Sequence, residues 1–130
     1  PEMKAAEAEL KKLQETYNAD IQASMTELRN KFTQYQNEAA SKSKEENDKR
    51  AVELQGYEKN IGEAQQAAQQ EFQKKQAELF APISEKAKAA IEKVAAAQGF
   101  DYVIDAQAGG GLIVAKGKDL LPDVKKQLGF

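Results

Sequence analysis

Cysteine, histidine and tryptophan are all absent from this 130-residue sequence. Without cysteine there is no disulfide framework and no thiolate nucleophile, and redox usage does not reveal the compartment. Without histidine the commonest general base and a principal ligand of zinc-type metals are missing as well. Carboxylates are plentiful, but they fall beside lysines on solvated helix faces, where nothing lifts a pKa toward neutrality. The residues thus exclude the usual enzyme chemistries, and no catalytic, cofactor or metal site is expected. A surplus of positive charge is lacking too: 19 Lys and Arg stand against 21 Asp and Glu. Neutralising phosphates takes a basic excess, so nucleic acid is not an expected partner. No apolar run approaches the roughly 18 residues of a membrane span, and no charged-then-apolar leader precedes Pro1. A soluble chain without stable membrane insertion is expected. With aromatics at 7% and charged residues at 31%, an elongated shape is expected in place of a large compact core.

What is present is helical periodicity. Leu10, Leu13, Tyr17, Ile21, Met25, Leu28, Phe32, Tyr35 and Ala39 follow one another at steps of three or four, which puts them on one helix face. A second stripe runs through Leu54, Ile61, Ala68, Phe72, Leu79, Ile83, Ala90 and Val94. Between the stripes, Ser41 to Arg50, which reads SKSKEENDKR, contains no apolar side chain. Folding back about this segment predicts a long antiparallel helical hairpin, residues 1–98, with its tip near 41–50. Apolar then meets apolar: Leu10 faces Ile91, Leu13 Ala87, Tyr17 Ile83, Ile21 Leu79, Leu28 Phe72 and Phe32 Ala68. Pro1 and Glu2 suit a first helical turn. Glu7 with Lys11, Glu27 with Lys31, Glu45 with Lys49 and Glu71 with Lys75 are spaced for pairing along one helix. Gly56 and Gly62 weaken the second arm near the tip. Pro82 predicts a kink or a restart of the helix, because it removes one backbone donor and crowds the preceding turn.

Gly99 closes the second arm as a C-terminal cap, and the apolar period then changes from 3.6 to 2. Phe100 to Ala106 reads as a strand, Gly109 to Gly111 as a turn, Leu112 to Ala115 as the returning strand, and Leu120 to Gly129 as a short helix with Val124 and Leu128 inward. The fold class is therefore mostly α with a small β base, residues 99–130, from which the hairpin projects. A phosphate-cradling role for Gly109 to Gly111 is disfavoured, because the run leads into a strand and not into a helix N-terminus. A two-stranded hairpin is marginal alone in water, so an upstream strand or neighbouring copies of the chain should complete the sheet. Oligomerisation through Val103, Ile104, Leu112, Ile113 and Val114 is the economical expectation.

Met25, Phe32, Tyr35, Tyr57 and Phe72 lie on the distal arm, away from any thick core. Seam packing is the plain reading of such a stripe. The functional reading is weak, adaptable contact with another polypeptide, for which flexible Met and aromatic groups are suited.

The C-terminal block, with Pro82-Ile83, Ala90-Ile91, Val94-Ala95, Gly99-Phe100-Asp101-Tyr102-Val103-Ile104-Asp105, the glycines and Asp119 before Val124 and Leu128, resembles the Skp/OmpH-like family of periplasmic chaperones. PEMKAAEAELKKL at the start of the hairpin is similar to that family as well. The resemblance implies a homotrimer, jellyfish-like, whose helical arms enclose a cavity. It implies an ATP-independent holdase that binds unfolded outer-membrane β-barrel proteins there, with Met25, Phe32, Tyr35, Tyr57 and Phe72 as candidate client contacts. Three features depart from the family pattern: the sequence as given begins at the long helix, where the family has a strand upstream, the charge is slightly acidic, and Leu121-Pro122 stands at the start of the last helix, leaving Asp119 as its expected cap. The alternative reading, a structural or adaptor coiled coil, would bind a folded partner at the tip through Lys42, Lys44, Lys49 or Arg50.

Overall fold

A computed structural model describes residues 2–106 and 116–130 of the chain. It divides into two compact units, Pro1–Leu79 and Phe80–Phe130. Helix α1 spans Glu2–Glu38, a 3-10 turn spans Ala39–Ser41, helix α2 spans Lys44–Gln98 and helix α3 spans Leu121–Leu128. No helix among the described residues is long and apolar enough to cross a membrane.

The first unit is an antiparallel pair made of α1 and the leading part of α2. At about 1.5 Å per residue, the 37 residues of α1 extend about 55 Å. The direction of the pair is set by bonds across it: Lys75 to Glu9 at 2.7 Å, Lys31 to Glu53 at 2.8 Å and Arg50 to Glu38 at 2.8 Å, with the Tyr17 hydroxyl donating to Glu71.

These bonds correct the register read from the sequence. The expected apolar pairs are centred on residue 50, whereas Lys31 with Glu53 is centred on residue 42 and Glu38 with Arg50 on residue 44. A partner is thereby displaced by about 14 residues, close to four whole turns, which returns the same helix face to the seam. Matching stripes cannot distinguish two such registers; the turn does. Most of the polar segment is helix and not loop. The Glu46 N–H donates to Ser43 Oγ at 3.2 Å, so Ser43 caps α2, and Ser43-Lys44-Glu45-Glu46 has the spacing of a capping box. The turn itself is tied by Ser41 Oγ to the Glu38 carbonyl at 2.7 Å and by Asn47 Nδ2 to the Ala39 carbonyl at 3.0 Å.

Pro82 does not restart the second helix: α2 is continuous through it. One missing backbone bond is carried by the intact turns on either side, since propagation adds a bond for each residue fixed.

The second unit packs α3 on the end of α2. Ala90, Val94 and Val124 are buried together, with Ile91, Leu120 and Leu128 against them. Gln98 Nε2 donates to Asp123 at 2.7 Å, and Lys118 Nζ donates to Gln98 Oε1 at 2.5 Å. Both helices end in a left-handed glycine. Gly99 has φ +74, and the Phe100 N–H reaches the Ala95 carbonyl at 3.0 Å. Gly129 has φ +84, with the Phe130 N–H on the Lys125 carbonyl at 3.0 Å. This double closure is the Schellman arrangement, and a side chain at either position would strain it. Asp119, one residue before the N-cap Leu120, accepts from the Leu121 N–H with its Oδ1 at 2.9 Å and so satisfies one donor of the first turn.

The small β base is the second correction. Phe100 to Ala106 forms no strand, and no strand occurs among the described residues. Alternation marks a segment that suits an extended backbone, but a strand exists only when a neighbour takes its N–H and C=O groups. The expected returning strand, Leu112 to Ala115, and the Gly109 to Gly111 turn lie outside the described residues.

Candidate binding surface of the hairpin

Near the tip, the two helices of the first unit are joined by a polar and aromatic clamp. Glu53, about two and a half turns into α2, accepts from Lys31 Nζ at 2.8 Å and from the Tyr35 hydroxyl at 2.7 Å. The Lys31 ammonium also lies 4.9 Å from the centre of the Tyr57 ring, and the Tyr57 hydroxyl donates to Glu27 at 3.4 Å. Arg50 pairs with Glu38 and places its guanidinium 4.4 Å over the Tyr35 ring. Its Nη1 is buried without a hydrogen-bond partner, and the ring face supplies attraction of the cation–π kind in its stead.

The charges respond accordingly. Hydrogen bonds from Lys31 first and Tyr35 second hold the Glu53 carboxyl below its ordinary range. Gln34, then Arg50, does the same for Glu38. The Lys31 ammonium is pushed up chiefly by its bond to Glu53, as is the Tyr35 phenol. The bond to Glu71 raises Tyr17, and that to Glu9 raises Lys75.

Two of the ion pairs expected along one helix are exchanged for pairs across the seam. Lys31 reaches Glu53 and Lys75 reaches Glu9, while Glu27 and Glu71 accept from Tyr57 and Tyr17. Glu45 and Lys49 do pair along α2, at 2.8 Å.

The five candidate contact residues separate into groups. Tyr35 and Tyr57 are half-buried and engaged by the clamp. Phe72 is half-buried. Met25 and Phe32 are 46% and 55% exposed, the latter the larger share, so neither is consumed by the seam. In the second unit, Val103 and Ile104 are 43% and 64% exposed; Leu112, Ile113 and Val114 lie outside the described residues.

Two open grooves run along the hairpin. One, of about 490 Å³, is lined by charged side chains including Glu9, Lys12, Glu71 and Lys75. The other, of about 680 Å³, holds Met25 and Phe72 together with Tyr17, Ile21 and Ala68, rimmed by Gln14, Asn18, Gln22, Gln65 and Gln69. The rim amides were missed in reading the sequence, because the Gln/Ala-rich stretch Ala64 to Gln76 reads simply as helix and Gln14, Asn18 and Gln22 as part of a solvated face. Their signal was the four-residue spacing of Gln14, Asn18 and Gln22, matched by Gln65 and Gln69.

A comparison with curated proteins found no match. A family model described as outer membrane protein (OmpH-like) matches residues 1–128, which is the two helical arms and the C-terminal block alike. The chain belongs to the OmpH-like outer membrane protein family.

Proposed function

We propose that the chain is an ATP-independent holdase chaperone of the periplasm that binds unfolded outer-membrane β-barrel proteins. The observation that carries this reading is the exposure of Met25 and Phe32 on an otherwise charged hairpin, in a chain of the OmpH-like family. Exposed flexible and aromatic groups give contacts that are individually weak and indifferent to the details of the bound chain. In this reading residues 1–98 form an arm and residues 99–130 a body, three copies assemble, and the arms enclose a cavity. Val103 and Ile104, with Leu112, Ile113 and Val114, supply the contacts between copies. Several tethered arms raise the effective concentration of each weak contact, and capture of the unfolded chain opposes its aggregation. Release follows when the barrel folds into a membrane and buries the surfaces that the arms touched.

The adaptor alternative has less support. Lys42 lies 3.7 Å from Glu46 and Lys44 3.5 Å from Asp48, while Lys49 and Arg50 are paired with Glu45 and Glu38. A folded acidic partner would have to displace these carboxylates. The test is light scattering of an unfolded outer-membrane barrel protein diluted from denaturant, with and without a molar excess of the chain. Suppression is expected, and it should weaken in a Met25→Ser, Phe32→Ser double variant; no suppression by the natural chain would refute the holdase reading.

A further inference from the structure

The groove lined by Met25 and Phe72 contains no charged side chain, although Lys, Arg, Asp and Glu make up 31% of the sequence. The neighbouring groove, by contrast, is dominated by Lys and Glu. Charge has therefore been kept off one strip of an otherwise charged hairpin. An occupant bearing charge would be desolvated there without a partner, which is costly. An occupant with no hydrogen-bonding groups would leave the rim amides without hydrogen bonds.

Those amides are regularly spaced. Gln14, Asn18 and Gln22 recur every four residues on α1, and Gln65 and Gln69 do so on α2. Four helical residues advance about 6.0 Å. Two residues of an extended chain, the repeat after which backbone groups point the same way again, advance about 6.6 to 6.8 Å. Over the two steps from Gln14 to Gln22 the mismatch is about 1.2 to 1.6 Å, within the reach of a Gln side chain. A carboxamide carries both a donor and an acceptor, so it can serve either an N–H or a C=O of a peptide. No hydrogen bond within the described residues engages these five side chains.

We propose that this groove binds an extended, uncharged stretch of polypeptide, whose backbone is held by the rim amides and whose apolar side chains, at alternate positions, rest on Ile21, Met25 and Phe72. The 11-residue advance from Gln14 to Met25, about 16 Å, accommodates about five extended residues. This rests on the holdase reading and names what the arm grips: a segment with period-two alternation of apolar and uncharged polar residues.

The experiment uses the full chain and a fluorescent capped peptide of about seven residues alternating Phe or Leu with Thr or Asn, followed by anisotropy. Three comparison peptides carry a central Asp, an N-methylated backbone, or a helix-forming amphipathic sequence of the same composition class. Binding of the alternating peptide is expected to fall roughly tenfold on N-methylation and roughly tenfold in a Gln65→Leu, Gln69→Leu variant, which removes amides while keeping side-chain bulk and helix propensity. Circular dichroism verifies that the variant retains its helix. Indifference to N-methylation and to the Leu pair, or preference for the charged or helical peptide, would overturn the proposal. Light scattering on the same proteins separates the two readings. Aggregation suppressed by a chain that ignores N-methylation leaves the holdase standing and removes the groove; peptide binding without suppression does the reverse.

Discussion

Glu53 holds two donors at once, Lys31 and Tyr35, and its replacement by Gln exposes what the clamp contributes. Glu53→Gln keeps the size of the side chain and removes the charge, so the thermal midpoint should drop by a few degrees, read by circular dichroism. The pH dependence follows from the directions of the shifts. Glu38 and Glu53 have carboxyls held below their ordinary value of 4.5. Their stabilisation is present above that value and is lost as pH falls through the lower folded one. Tyr17 and Tyr35 are raised above 10.0, and Lys31 and Lys75 above 10.5. Their stabilisation is complete below those values and is lost as pH rises through the higher folded ones. Thermal midpoints measured between about pH 3 and 12 should therefore fall on both flanks, with both flanks shallower in Glu53→Gln. A midpoint that ignores pH would show that these bonds do not hold the hairpin.

At the scale of the element, the turn decides which residues of two nearly repetitive helices meet. Ser43→Ala removes the cap of α2 and should cost about 1 kcal/mol, measured by urea unfolding. Gly62→Ala acts in the opposite direction. A methyl group there would meet nothing within 4 Å, and Ala is favoured over Gly inside a helix by about 1 kcal/mol. The short helix α3 depends instead on burial. Val124→Ala uncovers the cluster with Ala90 and Val94 and should cost about 1 to 2 kcal/mol, with earlier protease cleavage near α3 as its local signature.

At the scale of the whole molecule, the proposed function requires that copies of the chain assemble. The exposed side chains of Phe100, Tyr102, Val103 and Ile104 follow one another closely in the second unit, and such patches mark interaction surfaces. Charges placed there, as in Val103→Asp with Ile104→Asp, should lower the native mass measured by light scattering to that of one chain. Loss of assembly should also weaken holdase action, because single arms lack the gain from tethering. A variant that stays assembled would place the contacts between copies elsewhere.

Helix content, the capping role of Gly99, the inward faces of Val124 and Leu128 and the role of Asp119 were all legible in the residues, because each depends on neighbours within a few positions. So was the family, which rests on the order of short motifs along the chain. The register of the hairpin was not, since stripes of 3.6-residue period look alike after four turns and only the closure at Ser43 and the bonds of Glu53 and Glu38 select one. The β base was read from alternation, yet a strand is a relation between two segments, and Phe100 to Ala106 has no ladder partner among the described residues. Tyr35 and Tyr57 looked equivalent to Met25 and Phe32 as contact candidates on the distal arm; their hydroxyls found carboxylates across the seam, and the thioether and the plain ring had no such partner to find. The sequence by itself determined the two long helical stretches, the short terminal helix and the closure at Gly99, through local spacing and caps. Only the tertiary structure decided which side chains face each other, because that choice depends on distances between helices that no stretch of chain encodes alone.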